Sequence, residues 1–239
     1  MAPTVLDLDL GDGAKKVPDT FSADKEQRQG EPEYYLSVFA LDTVPRRAQY
    51  SHTFATFIKS SGGSVEAHTI SWLPKSTHIE VGRTQSELGM NLDLYQTLDF
   101  ARDLSARVYE WGPYRIRPEL YERSLRQLER LNSGRIQYKV LDGAWRPDAA
   151  SNCIHAVSDI DADDGYLTVD GVYGVAASAR VVEHLSRWII QPGQGHPSIH
   201  EKLGLSGQPI TRVAYNGELA VSGTEIAESL CAATVGRGR

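Results

Sequence analysis

Two alternating segments flank a Ser-Ser-Gly-Gly-Ser run at 60–64, and this arrangement constrains the fold more than any other feature of the chain. In HTFATFI (52–58), His52, Phe54, Thr56 and Ile58 share one face. In EAHTISWL (66–73), His68, Ile70 and Trp72 do the same. Side chains alternate across a strand with a period of two, so both segments read as strands and the Gly pair as the turn of an antiparallel hairpin. Pairing across that turn sets His68 opposite Phe57 and His52 opposite Leu73. The two histidines then lie about 16 Å apart along a strand. YYLSVFAL (34–41), aromatic and β-branched, predicts a further strand closed by Pro45, and THIEVG (77–82) a short one after Pro74.

Beyond the hairpin the period changes to that of a helix. Asn91 reads as an N-cap, with Leu94, Leu98, Ala101, Leu104 and Val108 at helical spacing up to Gly112-Pro113. Trp111-Gly112-Pro113-Tyr114 reads as the stop of that helix. A second helix begins at Pro118, carries Tyr121, Leu125, Leu128 and Leu131 as its apolar stripe, and ends at Gly134. RIQYKVL (135–141) predicts a strand, ASNCIHAVSDI the opening of a helix, VAASARVVEHLSRWII (175–190) another helix, and ITRVAY (210–215) a last strand. A strand block followed by helices indicates α+β: an antiparallel sheet with helices packed on it.

The expected organisation is an acidic tail over 1–33, poor in large apolar groups, one domain over 34–230 and a small-residue tail over 231–239. With 25 basic against 31 acidic residues and no dense Lys/Arg run, no nucleic-acid partner is expected. No apolar stretch approaches the ~18 residues of a membrane span, and no basic-then-apolar leader opens the chain, which favours a cytoplasmic protein. The two cysteines, Cys153 and Cys231, are too few for a disulfide framework, and no cysteine or histidine spacing of a metal site occurs. Neither metal nor cofactor is expected. Asp159, Asp161, Asp163 and Asp170 mimic a calcium-loop spacing, but Asp164 stands where the sharp turn needs Gly, so a solvated acidic loop is the expectation. His196 and His200 flank Pro197 with no identifiable co-ligand, and His184 lies apart from them.

One constellation carries chemistry. Ser151 and Asn152 are capping residues, which sets Cys153 in the first turn of its helix. Unpaired N–H groups there lower a thiol pKa and can hold an oxyanion, with Asn152 at that position. A thiol nucleophile also needs an imidazole. The order of a strand histidine (His52 in SHTFATF), a Tyr-Lys pair (Tyr138 and Lys139 in QYKVL) and Asn-Cys-x-His (Asn152, Cys153 and His155 in SNCIHAV) resembles the circularly permuted papain-like superfamily. That group includes NlpC-type permuted peptidases and lecithin retinol acyltransferase-like enzymes. The resemblance covers about residues 50–160. It implies a thiol hydrolase or acyltransferase acting on an amide or ester, with Cys153 as nucleophile and His52 as base. The third residue is left open among Ser71, His78 and His68. The alternative is a non-catalytic binding module on the same scaffold with Cys153 buried.

Overall fold

The structure is a computed structural model that describes residues 31–141, 149–169 and 173–215. The chain divides between Glu31 and Pro32. Residues 1–30, with most of the expected tail, and 216–239, with Cys231, lie outside the described residues, as does Asp170.

The fold is mixed α/β with mainly antiparallel sheets. Five strands form the larger sheet in the order β3-β2-β1-β6-β9: β1 (Glu33–Asp42), β2 (His52–Ser61), β3 (Ser64–Ile70), β6 (Arg107–Ile116) and β9 (Ile210–Val213), with β9 parallel to β6. The hairpin turns at Gly62-Gly63, and its register pairs Phe57 with His68 as the sequence indicates. The returning strand is split, however. It leaves β2 after Ile70, and β4 (Trp72–Pro74) joins a second sheet with β5 (Glu87–Asn91), β7 (Gln137–Tyr138) and β8 (Ala150–Ser151). Leu73 therefore has no partner on β2. Gly89 makes that second sheet possible: a Cβ there would sit 1.9 Å from the Trp72 ring.

Three expectations about local structure are overturned. The helix thought to run to Val108 is α1 (Leu94–Asp103), capped by Asp93 in a reciprocal box with Gln96 rather than by Asn91. Asn91 instead ends β5 and uses its side chain to bind Ser71 N and the carbonyls of Thr69 and Leu92. Trp111-Gly112-Pro113-Tyr114 is not a helix stop but the middle of β6, which pairs with β1 through a register shift opposite Leu36 and Val38. RVYEWGPYRI is rich in aromatic and β-branched groups, and that pleat-filling content outweighs the helical spacing of Val108. THIEVG forms no strand.

The remaining helices are α2 (Pro118–Asn132), α3 (Cys153–Ser158), α4 (Val175–His184) and α5 (Pro197–Lys202). The pleat sorts the large sheet into two cores. Leu36, Val38, Ala40, Ala55 and Phe57 face α2, α3 and α4. Tyr35, Phe39, Leu41, Phe54 and Ile58 face α1 and α5, with Phe39 and Phe54 stacked at 4.6 Å. No helix among the described residues is long and apolar enough to cross a membrane.

Candidate functional site

Asn152 caps α3 as the sequence indicates. Its Oδ1 accepts from the amides of Ile154 and His155, both at 2.9 Å, and its Nδ2 donates to Val140 O. The cap fixes Cys153 as the first helical residue, 8% exposed and packed in the core with Ala55, Phe57 and Trp72. The same bonds consume two of the first-turn amides that an oxyanion would need, so the Asn152 side chain serves the helix.

His52 lies elsewhere. It pairs with Leu41 on β1 and stacks on the Phe54 ring, and both neighbours belong to the core under α1 and α5. The pleat therefore aims His52 at the face of β2 opposite the one that α3 covers. Its Nε2 meets Ser71 Oγ at 2.9 Å, and its Nδ1 makes no hydrogen bond. Burial lowers its pKa from the usual 6.5 to about 3, so the ring is neutral at physiological pH. The residue that β2 presents on the Cys153 face beside His52 is Thr53, whose hydroxyl is bonded to Ser178 on α4 at 2.9 Å.

The other candidates separate as well. His68 faces the Cys153 side of the sheet, but its Nε2 meets Ser124 Oγ on α2 at 2.7 Å. Ser124 donates its own proton to Tyr121 O, so it accepts here and His68 is the Nε2–H tautomer. Burial lowers the His68 pKa to about 4. His78 is exposed in the loop after β4. Ser71, one of three residues weighed as the third member, is the only one bonded to His52 among the described residues. His155 bonds Tyr166 OH and Leu167 O, a structural role.

Sequence reasoning missed two buried clusters of ionisable groups. Asp161, expected in a solvated loop, is fully buried: Arg187 grips it with Nε and a second nitrogen, and the Trp188 indole N–H donates at 2.7 Å. Burial pushes its carboxyl pKa up, but the donors and charge of Arg187, with Trp188, win and hold it below the usual value. Glu110, on β6 and also fully buried, accepts from Ser37 Oγ at 2.8 Å, and its other oxygen is 3.2 Å from His200 Nε2. Burial raises the Glu110 pKa to about 7 and lowers that of His200. The two shifts both disfavour an ion pair: the ring tends to its neutral form, and the carboxyl is protonated below about pH 7. An apolar-flanked Glu in VYEWG was the one sequence signal for this pair. Among the described residues no group of three or more acidic, Cys or His side chains is placed to hold a metal.

No family model, curated protein or solved structure matches this chain.

Proposed function

We propose that this chain is a non-catalytic binding module on a permuted papain-like scaffold, with Cys153 as a core residue. The observation that carries this reading is the division of the β2 side chains. Thr53, bonded to Ser178, occupies the Cys153 face, while His52 is turned to the other face and bonded to Ser71. A threonine hydroxyl is no general base near neutral pH, so β2 offers the Cys153 face a hydroxyl in place of the His52 imidazole.

The placement of Cys153 at the first residue of an Asn152-capped helix favours the competing reading, a cysteine hydrolase or acyltransferase using His52. Acyl trapping separates the two. The folded protein is incubated with p-nitrophenyl acetate at neutral pH, and its intact mass and peptides are measured. The expected result is no acetyl group on Cys153. A stoichiometric adduct there, absent from Cys153→Ala and lost in His52→Gln, would establish the enzyme instead.

A further inference from the structure

A cleft of 340 Å³ opens between the β1–β2 connection and the end of α1, lined by Thr43, Val44, Pro45, Arg47, Tyr50, Asp103 and Leu104. Its volume is within the range of small-molecule sites, and its walls mix apolar groups with a few polar ones. Among the described residues the guanidinium of Arg47, the hydroxyl of Tyr50 and the carboxylate of Asp103 have no hydrogen bond or ion pair. Neighbouring cations are spent: Arg46 pairs with Asp42 at 3.3 Å and Arg102 with Asp99 at 2.8 Å.

Asp103 is also misplaced for a structural role. It is the last residue of α1, where the carbonyl end of the helix repels a carboxylate, and the Arg102 guanidinium in the same turn is paired with Asp99 instead. Arg47 is held ready for use. Its carbonyl accepts from Tyr50 N at 2.9 Å, and Ser51 Oγ, 3.1 Å from that carbonyl, donates its one proton to the buried Asp42. The connection is thus pinned before any ligand arrives, which reduces the ordering cost of binding.

We propose that this cleft binds a small aliphatic zwitterion of amino-acid size. Its carboxylate is taken by Arg47, its ammonium by Asp103, and its carbon chain lies against Val44, Pro45 and Leu104. This names a ligand class for the module proposed above and rests on that reading. Its test does not involve Cys153, so the two can fail separately.

The test is a titration of the whole chain with leucine and with ε-aminocaproate, followed by amide chemical shifts. One or both should perturb residues 43–50 and 103–105 saturably. N-acetylleucine and leucinamide, each lacking one charge, should bind about tenfold more weakly or not at all. Arg47→Gln and Asp103→Asn should each abolish the response. Without ligand, Asp103→Asn should melt slightly higher than the parent, since a helix-end repulsion is removed. Silence with both zwitterions, equal binding of the blocked forms, or an unchanged response in both variants would overturn the proposal.

Discussion

Two buried clusters on opposite sides of the large sheet handle their ionisable groups in opposite ways. On the side of Cys153, the buried carboxylate Asp161 is matched by Arg187 and by the Trp188 N–H, and it stays charged. On the side of His52, the partners are hydroxyls and one another: Ser71 for His52, Ser37 for Glu110, and His200 across from Glu110. There burial favours the neutral forms, because a hydroxyl cannot repay the cost of taking a charge out of water. The Asp161 cluster keeps its charge, whereas His52 and Glu110 disfavour theirs, as His68 beside Ser124 does on the Cys153 side.

The largest way to break this contrast is acid. The folded pKa of His52 is about 3 against 6.5 unfolded, so its neutral form costs nothing above pH 6.5. As pH falls below that, the unfolded chain takes a proton that the fold refuses. Stability is lost down to about pH 3, by roughly 5 kcal/mol from this group alone. His52→Gln keeps a hydrogen-bonding group for Ser71 and cannot titrate. Chemical denaturation across this range should show a shallower acid limb in the variant; an unchanged limb would place His52 in a solvated setting.

The next effect has the opposite sign. Glu110 rises from 4.5 to about 7, so the unfolded chain releases a proton over that window while the fold retains it. Stability falls as pH climbs from 4.5 to 7, by about 3 kcal/mol, and levels off above. Glu110→Gln should remove that slope. A variant with the parental slope would mean that another group carries it and that Glu110 ionises in the fold as it does in the unfolded chain.

Smaller still is the loss expected on the charged side. Asp161→Asn leaves Arg187 without its carboxylate and should cost about 2 kcal/mol, since Arg187 is 43% exposed and regains water. The loss should shrink at pH values low enough to protonate the parent Asp161. A variant as stable as the parent at neutral pH would show that the pair merely offsets its own desolvation.

Much of this architecture was legible in the residues. Alternation gave the hairpin and its register through Phe57 and His68, Pro118 gave the start of α2, and Asn152 gave the cap of α3. The same alternation grouped His52 with Phe54, Thr56 and Ile58. What a period of two cannot say is which face the Cys153 helix will cover. Packing decides that: Thr53 and Ala55 are small enough for α3 and α4 to approach, whereas Phe54 stacks with Phe39 beneath α1. The strand character of WGPY was hidden for a related reason. Val108 and Tyr109 point into different cores, so both faces of β6 are apolar and its pattern no longer alternates.

The central claim, that Cys153 and His52 do not form a pair, is tested most directly by the labelling rate of Cys153 with iodoacetamide in the folded chain. Peptide mass spectrometry would follow the rate as a function of pH in the parent and in His52→Gln. If the two residues lie on opposite faces, native Cys153 labels slowly at neutral pH and the rate is the same in both proteins. Fast labelling near neutrality that falls about tenfold or more in His52→Gln, the signature of a thiolate held by that imidazole, would contradict it.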